Sequence, residues 1–159
     1  YGEILVRLAE QEGIPGTTLR LTSPIGPGIA DHRIFSVFVR QALAGAPLKL
    51  SGRGTRRQDY VDVRDVAAAV EACLGAGAAG LCNLGSGRDI SNEELARACI
   101  STLNSKSEIV FSGQPDPEEG VVWQVSIERA RRSFGYQPRF PLDESIRSIA
   151  AADAHRGHP

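Results

Sequence analysis

Residues 51–70 read SGRGTRRQDYVDVRDVAAAV, and the order of polar and apolar positions in them sets how the chain divides into elements. A turn rich in glycine and arginine leads into QDYVDV, where Tyr60 and Asp62 alternate against Val61 and Val63, the period of a half-buried strand. The alanine-rich run after it is helical, with Asp65 as its candidate N-cap. Arg56 and Arg57 stand side by side just before the strand, and two readings of them are open. They form either a grip for an anionic ligand or a solvated basic turn. In extended backbone Arg56 points to the same side as Gln58, and Arg57 to the other.

Upstream, YGEILVRLAEQEG sets Ile4, Leu5, Leu8 and Ala9 on one stripe of a helix closed by Gly13. TTLRLTSPIG reads as one buried strand ended by Pro24, Gly26 and Pro27. RIFSVFVRQALAG is an amphipathic helix with Ile34, Phe35, Phe38 and Leu43 as its core side, and PLKLSG is a short strand. Downstream, AGLCNLGSG is a compact apolar strand running into a glycine turn. Ser91 and Glu94 have capping-box spacing at the head of SNEELARACISTL. EIVFSG is a further strand, and QPDPEEG is an acidic loop. SIERARRSFGYQP is a basic helix stopped by Gly135 and Pro138, PLDESIRSIAAADAH is the closing helix, and RGHP reads as a frayed tail. Strands alternating with helices predict an α/β fold with parallel pairing.

The chain has 159 residues, 42% of them hydrophobic and 23% charged, with a formal net charge of −1. That length suits one domain with a sizeable core. The near-neutral balance argues against a nucleic-acid partner, and the basic run RARRSFG reads as a surface helix. No apolar run reaches the length of a membrane span. Cys73, Cys82 and Cys99 lack metal-ligand spacing and are expected to be reduced buried thiols in a cytoplasmic protein. Asp59, Asp62 and Asp65 alternate along a strand and into a cap instead of converging from a loop, so no metal site is expected. His32, His155 and His158 have no neighbouring nucleophile. The chain contains no methionine and begins inside a helical pattern, so a piece of a longer protein is expected.

Four segments carry a resemblance. LRLTSPIGPG is similar to LR..N.YGPG, and LAGAPLKLSGRGTRRQDYVDVRDVAAAV to l.G.pl.i.GdG...RdfvyV.Dva.a. GLCNLGSG resembles G..yNiGsG, and IERARRSFGYQP resembles..kAr..LG..P. In this order they resemble the C-terminal portion of an extended short-chain dehydrogenase/reductase, the NAD-dependent epimerase/dehydratase family that acts mainly on nucleotide sugars. The resemblance implies the remnant of a Rossmann-type parallel sheet plus a small C-terminal substrate-binding lobe. Residues 1–28 would end the Rossmann core and 29–159 would form the substrate-binding portion, with 80–87 returning as a sheet strand.

The family's Y-x-x-x-K pair falls ahead of Tyr1, and Tyr1 itself is followed four residues on by Leu5. Its G-x-x-G-x-x-G cofactor loop is also absent from these residues, so they carry no catalytic residue of their own. NAD or NADP is expected in the full-length protein and none on this portion alone, which by itself is expected to be inactive. Pro24 and Ile25 correspond to the loop beside the nicotinamide. For substrate, Ser23 stands where an asparagine often meets the sugar, and is either a ligand contact or a polar strand end. Leu48 and Leu50 lie on the strand along the nucleotide base, or are simply core. Gln58 stands where an arginine grips the diphosphate, and an amide offers neither the charge nor the fork of a guanidinium. Arg56 is the preferred substitute. Ser126 replaces an aspartate that opens the basic helix.

The expected function is the substrate-binding half of an NAD(P)-dependent nucleotide-sugar epimerase/dehydratase that assembles as a homodimer. A reductase of a non-nucleotide carbonyl substrate and a non-catalytic binding module are the alternatives.

Overall fold

The computed structural model describes residues 1–155, and the tail RGHP lies outside them. In chain order the elements are α1 (Gly2–Gln11), β1 (Thr17–Leu21), β2 (Ser23–Ile25), α2 (Ile34–Leu43), β3 (Leu48–Leu50), β4 (Arg57–Asp62) and α3 (Val63–Gly75). They continue with β5 (Gly80–Leu84), β6 (Asp89–Ser91), α4 (Asn92–Thr102), β7 (Ile109–Phe111), β8 (Val122–Trp123), α5 (Glu128–Phe134) and α6 (Leu142–His155). The helices follow the anticipated segments, and the parallel pairing expected of an α/β chain is present.

TTLRLTSPIG does not run as a single strand. β1 pairs in parallel with β5, from Thr17 opposite Gly80 to Leu21 opposite Leu84. Past Thr22 the chain changes partner, and β2 pairs in parallel with β4, Ser23 opposite Tyr60 and Ile25 opposite Asp62. β5 ends in a glycine turn, so the extended backbone beyond it satisfies its remaining groups against β4. β4 also takes β6 in antiparallel register and β8 in parallel, while β3 pairs in parallel with β7. β6 and β8 were not anticipated, because two or three residues are too few to show a period.

β4 is not half-buried as its alternation suggested. Asp59, Tyr60, Val61 and Asp62 are all buried, because helices cover one face and the turn after β5 covers the other. Tyr60 packs edge-on against Phe35, with ring centroids 5.4 Å apart. It belongs to a core formed with Phe38, Leu48, Leu50, Leu95, Ile146 and Ile149. A second cluster joins Cys73, Cys82, Leu84, Ala130, Phe134 and Tyr136. All three cysteines are free and buried, and burial pushes the Cys99 thiol up to about 12.

Asp65 does not cap α3. Asp62 does, its carboxylate accepting the Arg64 N–H at 2.9 Å. It also accepts from the Arg64 guanidinium and, at 2.6 Å, from the Ser145 hydroxyl of α6. Asp65 accepts the Arg139 and Phe140 N–H groups at 2.8 and 3.2 Å, fastening the segment before α6 to α3. The reason is one of reach, since the helix begins at Val63, four residues before its alanine run.

Two other expectations change. Leu43 ends α2 half exposed, and the stripe Ile4, Leu5 and Leu8 of α1 faces outward at 53–61% exposure. α1 instead turns Val6 toward Gly16, where an added Cβ would stand 2.7 Å from the valine methyl. The capping box at α4 is complete, with Glu94 N–H to Ser91 Oγ at 3.0 Å and Ser91 N–H to Glu94 Oε2 at 2.6 Å.

Ser91→Ala is expected to cost about 1 kcal/mol, a typical N-cap loss. Asp62→Ala is expected to cost about 2 kcal/mol, the upper end for a cap, because Ser145 also loses its acceptor. Urea unfolding measures both, and a larger loss for Ser91→Ala than for Asp62→Ala contradicts the assignment.

Candidate functional site

Where β2 ends, a cavity of about 290 Å³ opens between β4 and the segment leading into α2. Its wall brings together Ser23, Pro24, Ile25, Arg56 and Gln58 from the sequence candidates. His32, Arg33, Tyr60 and Asn92 join them without having been singled out for the site. Of these, His32 and Arg33 do carry a signal in the residues, the charged run DHR before α2. Ile25 and Tyr60 also border a larger, more apolar cavity of about 570 Å³ toward α4 and the segment before α6.

The floor of the smaller cavity is a chain of hydrogen bonds. The Tyr60 hydroxyl donates to Gln58 Oε1 at 3.4 Å, and the Gln58 amide nitrogen donates to Ser23 Oγ. Burial pushes the Tyr60 phenol up to about 12, with Arg56 and Arg33 pulling the other way, so it remains a neutral donor. Ser23 accepts from Gln58 and keeps its own proton to offer into the cavity. Two replacements that look independent in the sequence are thus one bonded unit.

The other candidates lie elsewhere. Leu48 and Leu50 have no exposed side-chain surface, so β3 presents outward only its backbone and Lys49. Alternation alone turns both leucines into the core. Ser126 is exposed at the head of α5, outside the lining of this cavity, and its Oγ accepts the Glu128 N–H at 3.4 Å. Arg57 turns away from the cavity to Asp89 at 2.5 Å and Glu94 at 3.1 Å. The hydrogen bond to Asp89 raises the affinity of its guanidinium for its proton.

The arginine-rich turn is held by acids of QPDPEEG. Gly52 and Gly54 take φ of +56° and +70°, a left-handed backbone suited to glycine. This aims the Arg53 and Thr55 N–H groups at the Glu119 carboxylate, at 2.6 and 3.3 Å, with the Thr55 hydroxyl donating as well. Glu118 pairs with Arg56 at 2.5 Å.

On the other face of β4, Asp59 accepts from the Ser86 N–H and hydroxyl, both at 2.7 Å, and from the Gly87 N–H at 3.1 Å. Burial holds its carboxyl above the usual aspartate value despite these bonds. Asp59, Asp62 and Asp65 are therefore each engaged by separate donors. Among the described residues no group of three or more His, Cys, Asp or Glu is arranged to hold a metal, and no helix is long and apolar enough to cross a membrane.

A parallel α/β sheet with a polar cavity at a strand's C-terminal end is the arrangement of Rossmann-type enzymes. The chain belongs to the NAD dependent epimerase/dehydratase family, whose profile matches residues 1–85. It is 30% identical over 162 residues to the dTDP-6-deoxy-L-talose 4-dehydrogenase (NAD(P)(+)) of Kitasatospora kifunensis, covering 96% of this chain and 50% of that protein. It is 33% identical over 116 residues to the UDP-glucose 4-epimerase of Mycolicibacterium smegmatis, covering 71% of this chain and 36% of that one. In fold it resembles the UDP-glucose 4-epimerase of Thermotoga maritima solved with UDP-glucose, with a TM-score of 0.85 at 21% identity over 98% of this chain and 52% of the other. The chain spans about half or less of the length of these proteins.

Glu119 and Asp59 are expected to respond to pH with opposite signs. The Thr55 hydroxyl and the Arg53 N–H hold Glu119 below its ordinary 4.5, so its latch is complete above that value and lost as pH falls through the lowered one. Asp59, raised above 3.8 by burial, loses stability as pH rises through the window above 3.8. Carboxyl-carbon NMR titration measures both values, and amide exchange at Arg53 and Thr55 should speed up in Glu119→Gln while core amides stay protected.

Proposed function

We propose that this chain supplies the substrate-side wall of an NAD(P)-dependent nucleotide-sugar epimerase or dehydratase. The observation that carries the reading is the cavity at the end of β2, where a hydroxyl, an amide and two guanidinium groups converge. Ligands of open α/β sheets bind outside the carboxyl ends of the strands, and this cavity has that position. Arg56 and Arg33 meet the phosphates, and Ser23 with Gln58 meets a sugar hydroxyl. Residues 1–28 with 80–87 belong to the Rossmann core, and residues 29–159 form the substrate-binding portion.

The cofactor fits this chain along one side only. Pro24 is exposed and Ile25 lines the cavity, giving an apolar wall for a nicotinamide. No dinucleotide loop G-x-x-G-x-x-G stands in these residues, so they do not bind NAD or NADP by themselves, and alone they are inactive. When bound, the nicotinamide supplies a hydride acceptor, while a Y-x-x-x-K pair outside these residues removes the hydroxyl proton. The outward stripe Ile4, Leu5 and Leu8 supports a homodimer, and the free buried cysteines suit a cytoplasmic protein.

A second reading, a reductase of a non-nucleotide carbonyl compound, is favoured by Gln58, whose amide is spent on Ser23 instead of offering a guanidinium.

Calorimetry of the full-length protein with UDP-, TDP- and GDP-sugars separates the two readings, and no heat with any of them removes the first. Arg56→Ala should weaken binding at least about tenfold, the loss of one charge-assisted hydrogen bond. Arg57→Ala should change it by less than about twofold, as for a half-exposed ion pair away from the ligand. Equal, negligible effects from both would return the pair to a solvated basic turn.

A further inference from the structure

Arg56 reaches the rim of the cavity already engaged by an acid of its own chain. Its Nη1 lies 2.5 Å from Glu118 Oε2, and its Nε is buried without a hydrogen-bond partner. The two side chains are 29% and 46% exposed. An ion pair this open is weakly held, and a buried unpaired donor works against the conformation that buries it. Resting Arg56 on Glu118 is therefore an exchangeable state.

The loop carrying Glu118 is anchored independently of that pair. Glu119, next in sequence, is bound by the Arg53 and Thr55 N–H groups and by the Thr55 hydroxyl. The Glu118 N–H donates to Asp116 Oδ1 at 2.9 Å, and β8 immediately downstream is paired to β4. A Cβ on Gly52 would collide with the Glu119 carboxylate, so turn and loop interlock closely. Releasing Arg56 from Glu118 breaks none of these contacts.

We propose that Glu118 is an internal competitor for the anionic group of the ligand. Arg56 rests on Glu118 while the cavity is empty and transfers its guanidinium to the ligand's diphosphate when it fills, with Glu119 keeping the loop in place. This rests on the reading of Arg56 as the anion grip. The consequence is a threshold for the exchange. A ligand takes the guanidinium only by displacing a carboxylate of single charge, so a diphosphate draws Arg56 off Glu118 while an uncharged sugar leaves the pair in place.

The test is Glu118→Gln in the full-length protein, titrated with UDP, TDP and UMP. UDP and TDP should bind about threefold to fivefold more tightly, the worth of an exposed ion pair lost as a competitor. UMP, which draws less on Arg56, should gain less than UDP. In the Arg56→Ala background the same substitution should change nothing, which separates exchange at Arg56 from a general effect of removing an acid. Unchanged or weaker UDP binding in Glu118→Gln overturns the competition, as does a gain that persists without Arg56. Unchanged UDP binding in Arg56→Ala alone overturns the underlying reading of Arg56 as the grip.

Discussion

The carboxylate of Asp59 joins the two halves of this structure. It belongs to β4, yet all its hydrogen bonds go to Ser86 and Gly87 at the end of β5. β5 pairs with β1 in one sheet, while β4 pairs with β2, β6 and β8 in another. One buried side chain thereby bridges two sheets whose strands do not exchange a ladder. Gly85 permits the approach, since a Cβ there would lie 2.5 Å from Asp59 Oδ2. Taking that charge out of water raises its pKa, and the three donors aimed at it are what make the burial tolerable. Tyr136 adds a second tie from the same turn, donating to the Gly85 carbonyl at 2.9 Å.

With β4 fixed in this way, its two faces take different work. Asp59 looks toward the β5 turn, whereas Gln58 and Tyr60 look toward the cavity and Asp62 toward α6. Arg56 and Arg57, adjacent in sequence, end on opposite sides because the backbone enters the strand between them. One faces the cavity and the acidic loop, and the other locks against Asp89 and Glu94. The glycine turn before them is an anion-binding arrangement already occupied by Glu119, which is why it presents Arg56 in a defined place.

Much of this was legible in the residues. The helices followed their periodicity, and the capping box of α4 was visible in the spacing of Ser91 and Glu94. The parallel pair of TTLRL and GLCNL was also anticipated through the resemblance, although β1 is not the buried strand it reads as, since none of its residues is buried. Legibility failed where a choice depended on a distant partner. Asp65 read as the cap of α3, but Asp62 takes that place with Ser145 beside it, and Asp65 holds the Arg139–Phe140 backbone instead. The stripe on α1 reads as a core face, but the side of α1 that meets Gly16 is the one bearing Val6. β6 and β8 exist only because β4 has unpaired edges to satisfy.

The candidate site divides along the same line. Residue types and their order, taken alone, determined the α/β class and the Gly- and Arg-rich turn before β4, because turn chemistry and periodicity are local properties, while the family came through the resemblance of four segments. Tertiary structure decided that Ser23 and Gln58 act as one hydrogen-bonded pair and that Ser126 sits apart at the head of α5. It also decided that Leu48 and Leu50 turn inward, and that Arg56 is shared with an acid more than sixty residues ahead of it in the chain. These outcomes depend on which groups are brought within hydrogen-bonding distance, and spacing along the chain carries no information about that distance.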